Sequence, residues 1–315
     1  MFAEQKRVES PTEPFVSIRF DSSIDALVTC TYAKDAVNRS GQLRVLNART
    51  LAEEWRLPLS SAAFHLDFAA EFAAPYAAGL GDGRIAFVDV RERRLHVDAP
   101  QPFAGRMVTD AKRAPGDADR VAFVDESGAL ATYRRSTATV DFRVPLAHSL
   151  CGQPVNAWSC EWADAHAILT GGDDDRLKLW DLRSDGSRPA HNSAVHSGGV
   201  VRIRRLDAHH FATGSYDEQL RLLDVRKLDA PVDSIKLNGG VWDFEVQDER
   251  LLVACMYGGW AIVERRPSLR LVHEQPMPDS LVYGVTSNGK HGPEEEFFCC
   301  SFTNGVLCSM GRAEE

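Results

Sequence analysis

Two stretches of this chain share one grammar. Ala212–Val225 reads Ala-Thr-Gly-Ser-Tyr-Asp-Glu-Gln-Leu-Arg-Leu-Leu-Asp-Val, and Ile168–Leu182 reads Ile-Leu-Thr-Gly-Gly-Asp-Asp-Asp-Arg-Leu-Lys-Leu-Trp-Asp-Leu. Laid over each other, Asp174 falls on Asp217, Leu179 on Leu222, and Trp180-Asp181 on Leu223-Asp224, an offset of 43 residues (217 minus 174). A repeat of roughly 40–45 residues is one unit of four short strands. Such a unit cannot bury its own apolar faces. Copies must stack, and closing them into a ring leaves few exposed sheet edges.

More copies follow in both directions. Ala78–Asp89 aligns on Thr213–Asp224, with Asp82 at the position of Asp217. Val121–Tyr133 is a degraded copy with Ser127 where the aspartate should stand, and Leu252–Val263 and Phe297–Leu307 are two more. Near the start, Ala26–Tyr32 and Gln42–Leu46 read as the same two strands split by an insertion around Lys34–Ser40. The expectation is an all-β chain, a seven-bladed WD-repeat β-propeller with residues 1–315 as a single domain. Strand alternation supports it, with Leu177 and Leu179 set against Arg176 and Lys178. The sequence stops soon after Leu307, at the third strand of the last blade. The missing outer strand is therefore expected from the N-terminus, around Phe2–Val8, which would also remove a sheet edge. Asn288–Glu296 reads as a surface loop.

The remaining numbers mainly exclude. No apolar run reaches the length that crosses a bilayer, and no apolar signal core follows the first residues. Seven cysteines show no paired metal spacing and sit mostly in apolar strand contexts. A reduced, cytoplasmic setting fits, with no membrane partner. A net charge of −9 argues against a duplex nucleic-acid binder. A monomer without metal or cofactor is expected.

Four segments go beyond the generic repeat. Trp158-Ser-Cys-Glu-Trp162 precedes Thr170-Gly-Gly-Asp-Asp174, and His196-Ser-Gly-Gly-Val200 precedes Ala212–Glu218. Gly239-Gly-Val-Trp242 precedes Leu252–Met256, and Pro278-Asp-Ser-Leu-Val-Tyr-Gly284 precedes Cys299–Phe302. In this order they resemble the WD-repeat diphthine methyl ester esterases of diphthamide biosynthesis. The resemblance covers about residues 155–305, and the Asp-Ser-Leu-Val-Tyr-Gly and Gly-Gly-Val-Trp stretches are its specific parts. Two positions depart from the pattern. Leu223 stands where the repeat tryptophan is usual, and Ser301-Phe-Thr-Asn-Gly replaces Ser-Phe-Tyr-Asp-His. No site is therefore placed on the second turn of blade seven. The resemblance implies a carboxylic ester hydrolase. Its substrate would be translation elongation factor 2, whose modified histidine carries a methyl ester and a trimethylammonium group.

Ester hydrolysis needs an activated oxygen nucleophile, a base and donors for the oxyanion. The chain has no Gly-x-Ser-x-Gly elbow, no His-Glu-x-x-His and no Cys-x-x-Cys. His196, Gly239–Trp242 and Asp279–Gly284 all lead into first strands from one face of the ring. The expected catalytic group is therefore Ser280 or a water activated by His196, with Asp279 or Asp173 assisting. Aromatic faces suit a quaternary cation. Trp242 and Tyr283 follow equivalent valines, Val241 and Val282, and are the expected cation binders, with Tyr216 a third and Asp173 an attracting carboxylate. Trp158 and Trp162 read as blade core. Asp174 and Asp217 read as scaffold, since the turn aspartate of these repeats accepts hydrogen bonds from backbone amides and an incoming histidine. His196 can equally be that histidine, and Ser280 a turn hydroxyl bonding its local backbone. A non-catalytic interaction scaffold is the competing function.

Overall fold

Repetition and alternation translate directly into seven four-stranded antiparallel sheets. The computed structural model describes residues 2–35, 38–69, 71, 72, 74, 76–98 and 105–312. Blades are numbered here in chain order. Their first strands are Phe15–Asp21, Ala63–Phe68, Val108–Ala114, Ala157–Asp164, Val200–Arg205, Asp243–Gln247 and Val282–Ser287. Neighbouring first strands pack against one another around a central channel, and each of the first six blades then runs outward in sequence order. Blade seven is Val282–Ser287, Glu296–Ser301 and Val306–Arg312, completed by Phe2–Glu9 from the other end of the chain. Phe2 pairs with Arg312 and Glu9 with Val306, and the Phe2 ring packs edge-on against Phe297 at 4.9 Å. The N-terminal closure is as expected. The Asn288–Glu296 loop carries one 3-10 turn, Gly292–Glu294, the only helix among the described residues. No helix there is long and apolar enough to cross a membrane.

The core lies between blades, because each sheet is sandwiched on both faces. Leu169, Leu177, Ile203, Phe211 and Leu223 interlock where blades four and five meet. Leu220, Val241, Phe244, Leu251 and Val253 do the same one blade on. Two-sided burial also changes the meaning of strand alternation. Lys178, which the pattern sets on the polar face, is buried, and its ammonium donates to Ala147 O at 2.7 Å and Asp174 Oδ2 at 2.6 Å.

One local device shapes the channel. In blades one, three, four, five and seven the pairing of first and second strands slips by one residue just after the first strand begins. In blade four, Ala157 faces Gly172 and Ser159 faces Gly171, so Trp158 is left over. A residue left over at a β-bulge is unpaired and its side chain is re-aimed. The residues left over are Val16, Thr109, Trp158, Val201 and Tyr283. Phe64 occupies the slipped stretch in blade two, and Trp242 immediately precedes the first strand of blade six.

The outer part of blade four is tied by a buried chain. His148 Nδ1 lies 2.7 Å from Asp174 Oδ1, His148 Nε2 lies 2.8 Å from Thr170 Oγ1, and Trp180 Nε1 donates to Thr170 Oγ1 at 2.9 Å. Blade five repeats this as Asp217, His196 and Thr213, but Leu223 replaces the tryptophan. Thr170→Val should thus strand two buried ring groups and cost about 1–3 kcal/mol. Thr213→Val strands one and should cost less. Urea unfolding of the two variants checks this, and an equal or reversed order would contradict it.

Candidate functional site

The site grows from two rings of side chains. The first is the set displaced at the start of the first strands. The second occupies the turn between second and third strands, one residue before the repeat aspartate. In chain order this second ring is Tyr32, Gly81, Glu126, Asp173, Tyr216, Met256 and Phe302, aligned by the equivalent pairs Cys30–Leu43, Gly79–Ile85, Val124–Leu130, Gly171–Leu177, Gly214–Leu220, Ala254–Trp260 and Cys300–Leu307. Both rings lie at the end of the channel where first strands begin.

Aromatic residues fill much of this mouth. Trp242 and Tyr283 stack with centroids 4.4 Å apart. Trp158 meets Trp242 at 5.6 Å, Tyr216 meets Trp242 at 6.1 Å, and Phe64 meets Trp158 at 5.8 Å. Phe302 stacks on Tyr283 at 5.1 Å. Trp242 and Tyr283 are only 4% and 9% exposed, so they form the floor. The accessible faces belong to Tyr216, 38% exposed, and to the half-buried Trp158, Phe64 and Phe302.

The other side of the mouth is polar. Asp173 Oδ1 accepts from Trp158 Nε1 at 2.6 Å, and Oδ2 accepts from Asn156 Nδ2 at 3.0 Å. Burial pushes the Asp173 carboxyl above its ordinary range against these two bonds. Arg39, from the blade-one insertion, crosses blade two to reach Glu126 on blade three, with Nη2 2.7 Å from Oε2. Glycine at position 81 permits this crossing, since a Cβ there would sit 2.6 Å from Arg39 Cδ. A cavity of about 500 Å³ opens at the far end of the channel. Its lining mixes both signs, with Arg19, Lys112, Arg113, Arg204 and Arg205 beside Asp67, Glu71, Glu161 and Glu245.

Trp242, Tyr283, Tyr216 and Asp173 thus come together at one mouth. The catalytic set does not. His196 is buried within blade five, with Nδ1 3.1 Å from Asp217 Oδ2 and Nε2 2.8 Å from Thr213 Oγ1. Both ring nitrogens are committed to the scaffold, and none of its contacts is Ser280. Burial also lowers its pKa. Ser280 is itself buried in blade seven. Its backbone amide donates to Met277 O, and its hydroxyl accepts from Asn304 Nδ2 at 3.2 Å. Asp279 is exposed in a left-handed turn (φ 60°) and, among the described residues, bonds neither Ser280 nor His196. The expected Ser280–His196 pair is therefore corrected: each side chain is buried and bonded within its own blade, His196 to Asp217 and Thr213 and Ser280 to Asn304.

Three further readings change. Trp158 lines the mouth, whereas Trp162 is core, its indole donating to Lys112 O at 3.0 Å. The second turn of blade seven does contribute, through Phe302. His148 went unread because it stands nine residues before Ala157, whereas His196 stands four before Val200. A small hairpin, Ser149–Leu150 with Gln153–Pro154, fills the difference. Phe64, Tyr32 and Phe302 become legible only once the blades are aligned strand by strand.

No family model matches the sequence, and no curated protein matches it. Among solved structures, the chain is similar to one in "Crystal Structure of Mitotic Checkpoint Complex", at 14% identity and a TM-score of 0.74, over 99% of this chain and 95% of that one. At this identity the likeness establishes the WD-repeat-like seven-bladed propeller fold and nothing more.

The scaffold role of His196 has a pH signature. Its folded pKa lies below the unfolded value of about 6.5, so the unfolded state takes up the proton first as pH falls. Its contribution is present above about pH 6.5 and declines below it. Between pH 6.5 and 5, stability should rise with pH more steeply in the parent than in His196→Gln, by up to about 1.4 kcal/mol per pH unit. Identical slopes in urea titrations would contradict this.

Proposed function

We propose that this protein hydrolyses the methyl ester of diphthine methyl ester on translation elongation factor 2, giving diphthine and methanol. The observation that supports it is convergence. Trp158, Tyr216, Trp242 and Tyr283 come from the four segments that carry the resemblance, are spread over more than 120 residues (283 minus 158), and meet in one aromatic cluster beside Asp173. A trimethylammonium group presents no N–H to a hydrogen-bond acceptor. Aromatic faces attract it through their quadrupole, at about 0.5–2 kcal/mol per contact. Asp173 adds a negative charge at the same rim. The modified histidine of the elongation factor would enter the mouth, its cation on the rings and its ester toward the polar side.

A second reading has its own support. Neither His196 nor Ser280 is free to act, which favours a propeller that binds a methylated ammonium group without turning it over. Purified protein added to methylated elongation factor 2 should release one methanol and one proton per ester. Binding without methanol would leave the reader, and neither binding nor methanol would leave a general scaffold. If the rings hold the cation, Tyr216→Leu, which keeps apolar bulk but removes a face, should raise KM by about 3- to 30-fold with a smaller effect on kcat.

A further inference from the structure

We infer that Asp173 is the base that activates water for attack on the ester. The inference rests on the esterase reading above and supplies the group that His196 cannot. Position comes first. Asp173 occupies the turn-ring place that Tyr216, Met256, Phe302 and Tyr32 occupy in other blades, so its carboxylate is at the mouth. It is half-buried, within reach of water. Glycine at position 199 keeps the space between it and Tyr216 open, since a Cβ there would lie 2.9 Å from Asp173 Oδ1 and 3.0 Å from Tyr216 Cδ2.

Charge comes second. Glu126, the other ring carboxylate, is bound by both terminal nitrogens of Arg39 and is neutralised. Asp82 is held by Arg84 and Asp174 by Lys178. Asp173 makes no ion pair among the described residues, and its two partners are the neutral donors Trp158 and Asn156. These fix its orientation without supplying a cation. The groups that face it are Asp174 and Asp175 on its own turn, His148 before blade four, and Tyr216 from blade five. The two neighbouring carboxylates and the burial all disfavour its charge, which makes it a stronger proton acceptor than an exposed aspartate. A trimethylammonium group on the rings offers it no hydrogen-bond donor, so a carboxylate lone pair remains for water.

The step balances without a further reactant. A water O–H bond breaks, its proton passes to Asp173, and its oxygen bonds the ester carbon as the carbonyl π pair moves onto oxygen. The oxyanion then collapses, the C–OCH3 bond breaks, and the leaving methoxide takes the proton back from Asp173. Methanol and a carboxylic acid result, and the acid ionises into solvent.

Asp173→Asn tests the assignment. The asparagine can keep both hydrogen bonds if the Asn156 amide turns over, and retained binding of methylated elongation factor 2 within about tenfold shows an intact mouth. The expected result is a kcat lower by about 10²- to 10⁴-fold. In the parent protein, kcat/KM should fall as pH drops through the raised Asp173 pKa, and that acidic limb should be absent from the residual activity of the variant. Near-parent kcat in Asp173→Asn, or a low kcat with the acidic limb intact, overturns the inference and leaves the esterase reading in place. Parent protein that binds but releases no methanol overturns that reading, and this inference with it.

Discussion

A slip of one residue at the start of the first strand decides what this propeller can do. Along the regular remainder of that strand, Arg19, Asp67, Lys112, Glu161, Arg204 and Glu245 line the far end of the channel. The slip leaves one residue without a partner and directs its side chain inward. It brings Trp158 and Tyr283 to the mouth, where they meet Phe64 from the irregular start of blade two and Trp242 from just before the first strand of blade six. Sheets buried on both faces hold the geometry in place, since interlocking residues such as Phe211 and Leu223 leave little room for one blade to shift against the next.

The mouth is divided in two. Blades five, six, seven and one contribute Tyr216, Met256, Phe302 and Tyr32, which are apolar or aromatic. Blades three and four contribute Glu126 and Asp173, and the gap at Gly81 is crossed by Arg39. Aromatic rings on one side and an oriented carboxylate on the other suit a ligand that carries a diffuse cation and a polar reacting group a short distance apart. The blade-one insertion matters here because its arginine takes up Glu126, which leaves Asp173 as the ring carboxylate without a counter-ion among the described residues.

The architecture was legible because a repeat is a global signal. Two well-kept copies, Ile168–Leu182 and Ala212–Val225, set the period, and the period locates degraded copies such as Val121–Tyr133. The site was legible only in part. Trp242, Tyr283 and Tyr216 stand beside well-kept motif residues and could be named, whereas Phe64 and Tyr32 lie in blades whose sequences have drifted. A bulge leaves no mark in a pattern of alternating residues, so Trp158 could not be told from Trp162. For His196 two readings stayed open, for a different reason. A histidine 21 residues before a turn aspartate looks the same in sequence whether it moves protons or ties a turn, and the distinction is that Thr213 and Asp217 occupy both of its nitrogens.

Blade seven joins residues 282–312 to residues 2–9. The sheet that presents Tyr283 and Phe302 therefore needs two distant segments, and Phe2 with Arg312 is the most widely separated strand pair among the described residues. Contacts of that span form late and slowly in folding. During synthesis, six blades can be in place while the mouth still lacks its last two rings, and the first strand must stay unpaired until its partner emerges. Tyr283 and Phe302 thus reach the mouth on the one sheet that joins two distant segments, whereas Phe64, Trp158, Tyr216 and Trp242 each come from a blade of consecutive strands.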